Sequence, residues 1–166
     1  MTLNDLRRGA LVFIDANVFV YHFSGVSAEC KALLKRIERK EVRGVTGAHI
    51  VLEVLHRLMT IEALSRGLIT PGQPAKKLKH HPEVIKHLSD YSKCVDDIRA
   101  LGIRVYPVTM KQIKRSEAIR SAYGMITNDS ITAAMLSSYG AKKLATLDSD
   151  LSRIPGLMLC QPTDIP

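Results

Sequence analysis

Leu11-Val12-Phe13-Ile14-Asp15-Ala16-Asn17 is the stretch on which the fold turns. Four successive apolar residues, three of them β-branched or aromatic, form a continuous run with no polar alternation. A strand of that kind is covered on both faces, which is the condition of strands in a parallel sheet. The wider apolar run from Leu11 to Val20 is interrupted by Asp15 and Asn17 and reads as a buried strand. It is too short to span a bilayer, and no small-residue cleavage site follows it. The expectation is a cytoplasmic protein with no membrane association.

Working outward, apolar strands alternate with longer segments of helical period. Ser27 to Lys40 predicts a helix with Ser27 as its cap and Leu33, Leu34 and Ile37 on one face. Val42 to Thr46 predicts a strand, after which Gly47 opens a helix from Ala48 to Ser65 that Gly67 closes. Gly67, Pro71, Gly72, Pro74 and Pro82 mark a loop or broken helix, and a helix is expected from Glu83 to Leu101. Ile103 to Tyr106 reads as a strand, and Thr109 to Ala122 and Asp129 to Tyr139 as helices. Lys143 to Leu147 and Leu157 to Cys160 read as the last strands. Strands separated by helices predict an α/β fold with a parallel sheet. The chain of 166 residues is expected to be a single domain, 1–166, with a helical excursion at about 67–100.

Composition narrows the function. Lys and Arg number 24 against 16 acids, a net charge of +8, which favours polyanionic partners. The chain has no Trp, three Phe and five Tyr, too few for a sheet that stacks bases on exposed rings, so RRM-type and OB-type binding modules are disfavoured. Cys30, Cys94 and Cys160 are scattered, without zinc spacing, and read as reduced core thiols. His80-His81 reads as an exposed loop pair.

The chemistry lies in the acids. In open α/β sheets ligands gather at the carboxyl ends of strands, near a switch in strand order. Leu11 to Ile14 runs into Asp15, with Asn17 two residues on, and Lys143 to Leu147 runs into Asp148, with Asp150 two residues on. Asp129 opens a helix. Each has a plain structural explanation: Asp15 as a helix cap, Asp129 within a capping quartet with Thr127, Asn128 and Ser130, and Asp148 in a self-bonded turn. Their coincidence is less easily explained. Converging carboxylates repel one another and lose hydration, and a hard divalent cation, Mg²⁺ or Mn²⁺, resolves both problems. Glu53 shares a helix face with His49, Arg57 and Thr60, and by itself reads as half of a solvated Glu53–Arg57 pair.

These residues form an ordered set that resembles the PIN-domain ribonucleases, especially the VapC-type toxins and related stand-alone microbial PIN proteins. Phe13-Ile-Asp15-Ala-Asn17-Val18 is similar to the family's opening strand and first acid. Met125-Ile-Thr-Asn-Asp129, Ala133-Ala134, Gly140, Thr146-Leu-Asp148-Ser-Asp150, Ile154-Pro-Gly-Leu157 and Pro162 are similar to its closing segments. Leu151 departs from the aromatic that commonly follows the last Asp, and the excursion is longer than in compact toxins.

The resemblance implies a three-layer α/β/α fold with a roughly five-stranded parallel sheet. It implies a metal-dependent endoribonuclease that uses Asp15, Glu53, Asp129 and Asp148, with Asp150 beside them, to hold Mg²⁺ or Mn²⁺. Asn17 and Thr146 become supporting groups. It also implies an RNA substrate, with an antitoxin protein and a homodimer as the expected partners if the chain is a toxin. The rival readings are a non-catalytic PIN-like RNA-binding or scaffold protein, and a receiver-like domain with Asp15 as nucleophile. The latter lacks a phosphate-cradling Gly-rich loop.

Overall fold

The computed structural model describes residues 1–165. The opening stretch divides at Asp15. Leu11–Ile14 is a strand (β1), but Ala16–Phe23 is a helix (α1), so Val18 and Val20 are helical and not part of a longer strand. Asp15 makes the break: its backbone is extended and its carboxylate accepts the Ala16 N–H, which starts the helix. Val12, Phe13 and Ile14 are fully buried, each contributing about 1.5–3 kcal/mol of transfer free energy.

Ala28–Glu38 (α2) follows, with Ser27 accepting the Cys30 N–H as its cap, and then Arg43–Gly47 (β2) and Ala48–Ser65 (α3). The excursion holds two short helices, Pro74–His80 (α4) and Pro82–Ile85 (α5), a 3-10 turn at Asp90–Lys93, and Cys94–Ala100 (α6). The single helix expected from Glu83 to Leu101 is therefore broken. The cause is Glu62 on α3, whose carboxylate accepts the backbone N–H groups of Ser89 (3.1 Å) and Tyr91 (2.9 Å) and diverts them from a helical ladder. His80 and His81 sit exposed at the end of α4, and His81 bonds Glu83.

The chain closes with Arg104–Tyr106 (β3), Met110–Tyr123 (α7), Thr127–Ser138 (α8), Lys143–Ala145 (β4) and Met158–Cys160 (β5). The five strands are all parallel, in the order β3-β2-β1-β4-β5. Phe13 lies opposite Val45 on one side and Leu144 on the other. Two glycines show helices on both faces. A Cβ on Gly44 would meet Ile37 of α2 at 2.9 Å, whereas one on Gly47, of opposite parity, would meet Met135 of α8 at 2.9 Å. The architecture is the expected three-layer α/β/α.

The main core runs through the sheet. A separate apolar cluster of Ala63, Ile69, Leu78 and Leu88 lies under the excursion. Among the described residues, no helix is long and apolar enough to cross a membrane.

Candidate active site

The chain runs from β1 outward to β2 and β3, then returns across the sheet to β4 and β5. The strand order thus reverses between β1 and β4, and a crevice opens beyond their carboxyl ends. Asp15 follows β1 directly, and Asp148 follows β4 after Thr146 and Leu147.

Thr146 joins the two. Its hydroxyl donates to Asp15 Oδ2 at 2.6 Å and accepts the Asp148 N–H at 2.9 Å. Thr146 is itself fully buried, so one short side chain fixes both acids from below. Asn17 Oδ1 accepts the Leu147 N–H at 3.3 Å, tying the start of α1 to the segment after β4. Asp148 Oδ1 also accepts the Asp150 N–H at 2.8 Å, the self-bonded turn expected from sequence. Asp150 is exposed and accepts from Arg153 at 2.9 Å.

Asp129 corrects an expectation. The quartet Thr127, Asn128, Asp129 and Ser130 supplies no side-chain cap, because α8 begins at Thr127 with Ile126 in the capping position. Ser130 donates instead to the Thr127 carbonyl at 2.7 Å. Asp129 falls in the first turn and is free of capping duty. Among the described residues no hydrogen bond reaches its carboxylate. Burial pushes it up to about 6, aided by the charges of Asp148, Asp15, Asp150 and Glu53.

Glu53 sits half-buried one helical turn from Arg57, with 3.7 Å between their charged groups. The i,i+4 pair is therefore present, but its surroundings are not those of an isolated surface pair. Burial and then the charge of Asp15 raise the Glu53 carboxyl, against the pull of Arg57. Asp15 is raised by burial and by Asp148, despite its bonds from Thr146 and Ala16 and the charge of Arg57.

The structure brings Asp129, Asp148 and Asp150 together with carboxylate oxygens all within 4.8 Å of one another. Asp15 and Glu53 lie outside that close group but act on it electrostatically, and Asp129 feels all four of the other acids. All-oxygen donors with unrelieved like charge suit a hard divalent ion. Of the cations at the site, Arg57 is the partner of Glu53 that the sequence suggests, and Arg153 has no role legible in the sequence. Arg153 also donates to the Gly124 carbonyl at 3.1 Å, and only the folded chain brings it to Asp150 and Gly124 together. Leu151 fills a core position, 3% exposed.

The family model for the PIN domain matches residues 12–157. Ribonuclease VapC2 of Methanocaldococcus jannaschii is 25% identical over 150 residues, covering 90% of this chain and 93% of that protein. Among solved structures, VapBC2 from Rickettsia felis, bound to a DNA fragment from its promoter, matches with a TM-score of 0.60 at 13% identity. The match covers 91% of this chain and 98% of that one. A toxin–antitoxin complex from Klebsiella pneumoniae matches with a TM-score of 0.56 at 17% identity, covering 92% and 97%. These structural likenesses are likenesses of fold.

Proposed function

The chain belongs to the PIN-domain family, and from that premise we propose that it is a divalent-metal-dependent endoribonuclease, the toxin of a toxin–antitoxin pair. It is a nuclease of the hydrolase class, related across almost its whole length to a ribonuclease. The observation that carries the finer reading is Asp129, an acid with no hydrogen-bond donor, surrounded by the charge of four others.

Asp129, Asp148 and Asp150 would hold Mg²⁺ or Mn²⁺ from the close group, with Asp15 and Glu53 completing the anionic wall. A bound ion supplies Lewis-acid activation of water and of phosphoryl oxygens, and neutralises the carboxylates. The chain's own residues do the rest. Thr146 and the Ala16 N–H fix the rotamer of Asp15, and the Asp150 N–H fixes that of Asp148, so the acids are oriented before any ligand arrives. Asp129, raised by burial and by the charge of the other acids, is the carboxylate that a cation would relieve most. Arg57 places positive charge beside Glu53 where a phosphate backbone would approach. The basic excess of the chain draws in RNA. The protein partner in this reading is an antitoxin, as in the Klebsiella complex.

The test is cleavage of single-stranded RNA by purified protein. Wild type is expected to cut in Mn²⁺ and to stop in EDTA. Asp15→Asn and Asp129→Asn should each lose roughly 100-fold or more in rate while remaining folded. Unchanged cleavage in EDTA would overturn the metal-dependent reading. RNA binding without turnover in Mn²⁺ would favour the scaffold reading.

A further inference from the structure

His49 is the second residue of α3, and Glu53 follows one turn later on the same face. Thr132 follows Asp129 by three residues on α8, again on the same face. His49 Nε2 and Thr132 Oγ1 are 2.9 Å apart, and Thr132 is 3% exposed. Among the described residues, this is the one side-chain hydrogen bond that joins α3 to α8. It lies one turn from an acid on each helix.

The surroundings are shaped for it. The imidazole folds back over the end of β2, where a Cβ on residue 47 would come within 2.5 Å of the ring and 2.9 Å of Met135 Sδ. Glycine at 47 is what leaves room for the ring. Burial keeps the imidazole neutral, down to about 4. Its Nδ1 is buried without a partner. The bond between Nε2 and the Thr132 hydroxyl is thus the one polar contact of the imidazole side chain.

An apolar residue would fill this slot with no unpartnered nitrogen, so packing alone does not explain a histidine here. What the histidine adds is a bond of fixed length and direction between two helices. Building on the metal-site reading above, we propose that His49 and Thr132 are positioning residues: a strut that sets the distance between Glu53 and Asp129, and thereby the site's affinity for its cation.

The test uses the full chain and measures Mn²⁺ affinity by calorimetry, with metal-free Tm beside it. Thr132→Val, close in volume but without the hydroxyl, should weaken Mn²⁺ binding about 10-fold with Tm lowered by only a few degrees, and Thr132→Ser should restore it. Asp129→Asn, measured in parallel, should lose Mn²⁺ binding. If Asp129→Asn binds as wild type, the metal-site reading fails and the strut with it. If Asp129→Asn loses binding while Thr132→Val keeps wild-type affinity, the strut alone is overturned. A large fall in Tm that Thr132→Ser does not reverse would make the pair mere packing, and would likewise overturn the proposal.

Discussion

Glu62 and Asp129 are both acids on helices beside the sheet, and they have been treated in opposite ways. Glu62, 7% exposed, accepts the N–H groups of Ser89 and Tyr91 and a 3.1 Å bond from Arg66. Burial pushes its carboxyl up, but these donors outweigh burial and hold it below the usual range. Asp129 accepts nothing and is pushed up to about 6 by burial and four neighbouring charges. The excursion at one end of α3 uses an acid as a fastening. The crevice beyond β1 and β4 leaves Asp129 without a donor and under the charge of four other acids. Satisfied carboxylates build structure, and unsatisfied ones in a cluster wait for a ligand.

The largest break in this comparison should come from Glu62→Ala. It strands two backbone N–H groups and the Arg66 guanidinium, and is expected to cost about 3 kcal/mol in denaturant unfolding. Hydrogen exchange should rise first in residues 86–93. A loss under about 0.5 kcal/mol would mean that water serves these donors as well as Glu62 does.

A smaller effect of opposite sign is expected from Asp129→Asn without metal, which removes repulsion and should stabilise by about 1 kcal/mol, or about 2–4 °C in Tm. The pH dependence follows. Folded Asp129 titrates at about 6 against 3.8 for the ordinary group, so between those values the native state holds a proton that the unfolded chain lacks. Acidification through that window therefore stabilises the native state, and the gain is absent above about 6. Glu62 works the other way: its contribution is present above 4.5 and is lost as pH falls through its lowered folded value. Buried His49, neutral down to about 4, acts with the opposite sign in the same window, so the contribution of Asp129 is read as a difference: between pH 7 and 5 the Tm of metal-free wild type should change more favourably than that of Asp129→Asn. Parallel profiles in the two proteins would contradict the raised Asp129.

The sequence carried the sheet well because buried parallel strands announce themselves as short apolar runs. The acids at Asp15 and Asp148 were visible because each follows such a run directly. The division of the first run at Asp15 was less legible, since Val18 to Val20 suits strand and helix alike. The broken helix after Glu83 was hidden because its cause lies elsewhere in the chain, at Glu62. One signal was available: Ile50, Val54, Leu58 and Glu62 recur every four residues on the buried face of α3, and a charge in that stripe needs partners. Asp129 was legible as a site acid, but the cap expected from its quartet is absent because Ile126 takes the capping position, and the distance between α3 and α8, spanned by His49 and Thr132, has no local sequence signature at all.

The central claim is that the crevice acids repel one another until a cation joins them, and thermal unfolding at pH 7.5 with and without Mn²⁺ tests it most directly. At Mn²⁺ about 100-fold above Kd, linkage gives wild type about 2.7 kcal/mol of added stability, roughly 5–10 °C in Tm. Asp129→Asn, already higher in Tm without metal, is expected to gain almost nothing. An equal Mn²⁺ shift in both proteins, or none in wild type, would contradict the account.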